Sequence, residues 1–176
     1  MIEEETSYRM EGIAFGMVDG MILCLGLTIG VAEATSSSNL VIITGIIGGL
    51  ANALGNAIGF FTSQSTERGL QIHETTEHGV TTRIHSKKEI FINTACSFLA
   101  AIATLIILVS PFVLFDIVTA VTLTFLLGAV LSFLLGTYVG KLSRENAYWT
   151  GLKYAVLAIV GAVISHVVGD LLQILV

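Results

Sequence analysis

Apolar residues gather along this chain in five long stretches, at about 12–33, 40–62, 90–110, 113–140 and 150–176. Each is about the length, roughly 20 residues, that a helix needs to cross a bilayer. In lipid every backbone N–H and C=O must be satisfied within the segment, so an isolated apolar stretch of this length reads as a helix. The pattern predicts an all-α integral membrane protein, one domain over 1–176, with five transmembrane helices. Most of the breaks are short: Ala34 to Asn39, a tight reversal forced by Pro111, and Lys141 to Asn146. Tyr148 and Trp149 stand at the mouth of the fifth span as interfacial anchors. One break is long. Residues 64–89 are hydrophilic, and no Pro or long Gly run interrupts them, so the second helix is expected to continue into water as far as His78. No internal repeat is visible.

Within the first span, Gly12, Gly16, Asp19, Leu23, Gly26 and Gly30 follow a 4-3-4-3-4 spacing that sets them along one side of a helix. Asp19 lies on the order of 10 Å inside the span. A carboxylate there costs about 2.5–3.5 kcal/mol, and such residues mark ion or proton paths or bond to a neighbouring helix. The second span carries Gly45, Gly48, Asn52, Gly55, Asn56 and Gly59 at similar steps. Its asparagines either bond between helices, at about 1–2 kcal/mol each, or lend a carbonyl oxygen to a cation. Gly128, Ser132, Gly136 and Gly140 form a small-residue ridge on the fourth span, suited to packing or to a dimer seam. On the fifth, Ser165 and Gly169 share a small face that could approach the first helix. His166 beside them is either bonded in a packed bundle or involved in transport.

The chain is 54% hydrophobic and 12% charged, half the roughly 25% charged residues of a soluble domain. Its net charge of −5, with no basic stripe, gives nucleic acid nothing to bind. Cys24 and Cys96 fall inside apolar spans and read as buried thiols, not as a disulfide framework or a zinc site. Glu3, Glu4 and Glu5 are acidic where a signal peptide would be basic, so the first helix is expected to stay in the mature protein. All eight Lys and Arg lie before the first span, in the long break, or around the fourth-to-fifth link. The positive-inside rule then puts the N-terminus and residues 64–89 in the cytoplasm and the C-terminus outside. Glu33, Asp116 and Asp170 fall on the outer side. Carboxylates at both ends and one in the middle suit a cation path.

The long break concentrates metal ligands. Glu67 opens it, and His73, Glu74, Glu77 and His78 follow; His73 with Glu77, and Glu74 with His78, have the i,i+4 spacing that can chelate on a helix. The string is neither H-E-x-x-H nor H-x-x-E-H, so the metalloprotease motifs do not apply. A solvated charged face is the alternative.

Val18-Asp19-Gly20 early in the first of five helices, and a Gly/Ala-rich second helix leading into Ser65-Thr66-Glu67, resemble the vacuolar iron transporter family over nearly the whole chain. The resemblance implies a homodimer whose first helices line a central path, exchanging divalent Fe or Mn for protons. It implies that Asp19 is the intramembrane metal ligand and that Glu67 belongs to the cytoplasmic entrance. The chain departs from the family in two ways. Matching the helices back from Glu67 puts Asn56 where family members tend to place a methionine beside the path, and a hard oxygen there shifts preference toward manganese. The long glutamate-rich metal-binding insertion is also missing, and only His73 to His78 could stand in for it. The leading function is proton-coupled export of Fe2+ or Mn2+ from the cytoplasm, with metal ions, protons and membrane lipid as partners and no tightly bound cofactor. The alternatives are a non-transporting scaffold and, against the spacing, an intramembrane metal-dependent hydrolase.

Overall fold

The structure is a computed structural model that describes residues 2–79 and 83–173; the side chains of residues 2–9 and of His78 lie outside the description. Five helices follow in order: α1 (Ile2–Thr35), α2 (Ser38–His78), α3 (Lys87–Leu114), α4 (Ile117–Leu142) and α5 (Ala147–Gln173). All five are long and apolar enough to cross a membrane, as the hydrophobic pattern predicts.

Local chemistry sets the ends. Ser37 caps α2 by accepting the backbone N–H of Leu40, and Asp116 caps α4 by accepting that of Thr119. Thr119 holds the Asp116 carboxyl below the usual carboxylate range through that bond and a second one from its hydroxyl. Ser86 and Glu89 form a reciprocal capping box at the start of α3. Gly79 ends α2 with φ +64°, a left-handed turn that glycine adopts without a side-chain penalty.

Helix α2 has 41 residues, about 60 Å at helical rise, and a hydrocarbon core is about 30 Å thick. Its last turns therefore extend past the bundle at the end where α2 gives way to α3, here the long-loop end. The expected continuation to His78 is what forms. Pro111, in contrast, does not make the reversal between the third and fourth spans. It lies inside the last turn of α3, and the break falls at Phe115 and Asp116. Proline leaves the carbonyl four residues back without its N–H partner. Here the Ser110 hydroxyl donates to that carbonyl, Ile107 O, at 2.8 Å, and the helix runs on to Leu114.

Helix α1 is the centre of the bundle and packs against each of the other four. Its small-residue stripe does not face one partner. An added methyl at Gly12 or Gly16 would run into the backbone carbonyls of Asn93 and Ser97 on α3. Toward the other end, Gly26 and Gly30 meet Ser165, and a methyl on Gly169 would come within 2.6 Å of Gly30 O. The predicted approach of the Ser165/Gly169 face to the first helix is thus realised. Between these contacts Met21, Cys24, Leu25 and Ile29 join Leu105, Leu108, Leu135 and Ala162 in the core. The ridge on α4 is a seam inside the chain: Gly128 lies on Leu25, the Ser132 hydroxyl is 3.3 Å from Met21 Sδ, and Gly136 and Gly140 lie on Tyr154 and Thr150. On α2 the stripe splits. Gly45, Gly48 and Gly49 are covered by Val109, Leu27 and Leu105, whereas a methyl on Gly55 or Gly59 would meet nothing within 4 Å.

Candidate metal centre

Asp19 faces α2. The Asn52 amide donates through Nδ2 to Asp19 Oδ2 at 2.8 Å. An ionised carboxylate only accepts, so the Asn52 amine must turn toward it and its carbonyl oxygen is aimed elsewhere. Apolar contacts fix this pair in depth on both sides. Leu27 and Thr28 lie on Gly48 and Gly45 toward one end, and the Phe15 and Phe60 rings sit 5.0 Å apart toward the other. Asn56, one turn further along α2, presents a buried Nδ2 with no partner among the described residues. Asn93, 1% exposed, and Ser97 on α3 likewise have buried side-chain polar atoms without partners. A buried unsatisfied group costs about 1–3 kcal/mol, so these positions suit water or an ion.

A second polar cluster occupies the long-loop end. Gln64, buried on α2, donates through Nε2 to Glu11 Oε1 at 3.1 Å, and its Oε1 is 3.3 Å from His85 Nδ1. With that amide orientation Nδ1 is the donor. The His85 backbone is tied down twice, its N–H to Gln71 Oε1 at 2.9 Å and its carbonyl to Arg68 Nε at 2.9 Å. Gln71 in turn donates to Glu67 Oε1 at 3.2 Å. Side chains from Glu67 to Glu11 are thereby linked through two glutamines and one histidine. An open-sided cavity of about 620 Å³ joins this cluster to the interior, lined by Glu11, His85, Phe15, Val18, Asp19 and Tyr138 among others.

Of the residues singled out in the sequence, Asp19 lines this groove and Glu67 belongs to the cluster at its mouth. The side chain that bonds Asp19 is Asn52, because α1 and α2 cross in a register that pairs them, and Asn56 lies one turn further along α2. His73 and Glu77 bond each other, Nε2 to Oε2 at 3.3 Å, with each side chain more than half exposed. Glu74 is exposed beside them, and none of the three lines the cavity. The side chain of His78 lies outside the described residues. The sequence reading passed over Glu11, Gln64 and His85. Glu11, about two turns before Asp19, carried a usable signal. His85 carried none, because a loop residue reaches the groove only through its backbone anchors.

Residues 11–79 match the model of the VIT family. The matched stretch holds Glu11, Asp19, Asn52, Asn56, Gln64, Glu67 and His73 to His78. An uncharacterized protein of Methanocaldococcus jannaschii is 30% identical over 165 residues, which cover 89% of this chain and 86% of that one.

Proposed function

Because the chain belongs to the VIT family and is an integral membrane protein, we propose that it is a proton-coupled transporter that moves a divalent transition-metal cation, Fe2+ or Mn2+, out of the cytoplasm. One observation carries this reading: a carboxylate in mid-bundle, held by Asn52 at 2.8 Å, lines the same groove as Glu11 and His85 at the long-loop end. That arrangement supplies an entrance, a passage and an internal site.

Carboxylates and imidazoles ligate metal only when deprotonated, so metal and protons compete for such groups on the side from which metal enters, here Glu67, Glu11 and His85. His73, Glu74 and Glu77 extend the collecting surface outward along α2. At Asp19 an ion and a proton occupy one carboxylate in turn as the path opens alternately to each side. Turned over about its amide, Asn52 can offer the ion its oxygen, a hard ligand that favours Mn2+ relative to a thioether. The groove is open along α1, where Phe15 and Ile22 are exposed. A second copy meeting this face would close the groove and bring two Asp19 carboxylates to one path, which is why we read the active form as a homodimer. The distribution of Lys and Arg supports a cytoplasmic long-loop end. A pure scaffold leaves Asp19 unexplained, and a hydrolase lacks the ligand spacing.

The test is metal flux in liposomes holding the purified protein, with Mn2+ or anaerobic Fe2+ and with or without a pH gradient. Wild type should move metal faster when protons run the opposite way. Asp19→Asn, nearly isosteric but unable to balance a divalent charge or carry the proton, should reduce flux to the protein-free level while remaining folded. Wild-type flux in that variant would remove Asp19 from the path and the proposal with it.

A further inference from the structure

At the end of the bundle opposite the long loop, we propose that Glu33, His166 and Asp170 form a second binding site for a divalent transition-metal ion. The helix contacts already described put these residues together. Gly169 lies so close to Gly30 that a methyl on it would meet Glu33 Cβ at 2.9 Å as well as the Gly30 carbonyl. This approach brings the last turn of α1 between two residues one turn apart on α5. His166 Nδ1 is 3.0 Å from Glu33 Oε1, and His166 Nε2 is 3.8 Å from Asp170 Oδ2. One ligand atom from each of the three residues falls within 4.8 Å of the others. Ligands about 2.0–2.2 Å from a common ion are at most about 4.4 Å apart, so a small side-chain rotation converts the cluster into a coordination shell. A cavity of about 330 Å³ lies against Glu33 and His166, between them and Thr122 and Phe125 of α4, and leaves room for the ion's remaining water ligands.

Charge and chemistry narrow the ligand. Two carboxylates face a single imidazole, and no Lys or Arg occurs in residues 10–67, 89–140 or 154–176. No Lys or Arg in those stretches balances the pair at that end, and a divalent cation does. The three groups are partly exposed, and exposed ion pairs contribute only about 0–1 kcal/mol, so stability alone does not account for the cluster. The imidazole selects against Mg2+ and Ca2+, and the two carboxylates against soft Cu(I), which leaves Mn2+, Fe2+, Co2+ and Zn2+. The proposed transport enters only in the role of the site, as the place where an ion leaving Asp19 emerges.

Equilibrium binding of Co2+ to the full chain in detergent tests this, followed by dialysis and visible absorption. The background is Asp19→Asn with His73→Ala, His78→Ala and His85→Ala, which removes the internal carboxylate and the other three imidazoles of the chain. We expect that background to retain a saturable Co2+ site. His166→Ala added to it should weaken that site at least tenfold, and Glu33→Gln, which keeps the packing, should weaken it by a similar factor. Excess Mg2+ should not compete. Co2+ isotherms unchanged by both His166→Ala and Glu33→Gln would overturn the site and leave a solvated ion pair. If His166→Ala fails to elute as a folded protein, Glu33→Gln alone decides. Binding is read with Asp19 already replaced, so this result is separate from whether the wild-type protein transports.

Discussion

Asp19 and Asn52 show how two short polar side chains acquire different weight from their neighbours. Asn52 and Asn56 are both polar, lie four residues apart and fall on a helix rich in small residues, but Asn52 is the one that bonds the carboxylate. A hydrogen bond to a charged group contributes about 1.5–3 kcal/mol, and every 1.4 kcal/mol is about tenfold in affinity. Asn52→Ala should therefore raise the metal concentration for half-maximal flux by about tenfold or more. Asn56→Ala, which removes an amide whose buried Nδ2 has no partner among the described residues, should change it by no more than a few fold. The metal preference separates them too: Asn52→Met is expected to raise Fe2+ uptake relative to Mn2+ under anaerobic conditions, because a thioether is the softer ligand, and Asn56→Met to leave the ratio near wild type. Equal effects at the two positions would mean that the Asn52–Asp19 bond does not set affinity.

At the scale of elements, glycines that look alike in the sequence divide into contact positions and open ones. Gly16 lies against the α3 backbone at Ser97, and neither carbonyl nor helix axis can yield as a side-chain tip would. Overpacking of this kind costs about 1–3 kcal/mol, so Gly16→Ala should lower the melting temperature of the detergent-solubilised protein clearly. Gly59 has nothing within 4 Å, and replacing an unconstrained helical glycine by alanine gains about 0.5–1 kcal/mol. Gly59→Ala should melt at or above wild type. If Gly16→Ala melts like wild type, the close α1–α3 contact is wrong. The same contacts explain why α1 can stand in the middle: with a bare backbone toward α3 at one end and α5 at the other, it lets both approach.

For the whole molecule, the open groove along α1 is the feature that asks for a second copy. Ile22 is 62% exposed on that face, and Ile47, 66% exposed, lies on the outer side of α2. In a background with Cys24 and Cys96 replaced by alanine, Ile22→Cys should cross-link in membranes to a band of twice the monomer mass, using a short bis-maleimide. Ile47→Cys should not. The reverse pattern would place the interface on α2 and leave the groove facing lipid, where Asp19 would have no second carboxylate to share an ion with.

The number, length and helical nature of the spans follow from the sequence alone, because a bilayer permits few backbone solutions to an apolar stretch of that length. Asp19 stood out for the same reason, since a lone acid in such a stretch costs free energy. So did the continuation of α2 to His78, where nothing breaks the helix. The stop at Pro111 was misread because a proline near a helix end removes only one bond, and the Ser110 hydroxyl bonding Ile107 O is visible only in three dimensions. Which partner each small residue meets was also undecided, because helical spacing gives a face and no neighbour. Tertiary structure supplied the register of α1 against α2, which sets Asn52 against Asp19. It brought His85 from a loop to Gln64 and Glu11, residues 21 and 74 positions away in the chain. It also set Glu33 beside His166, across 133 residues of sequence. Contacts at such separations depend on how helices cross, and no local periodicity encodes that.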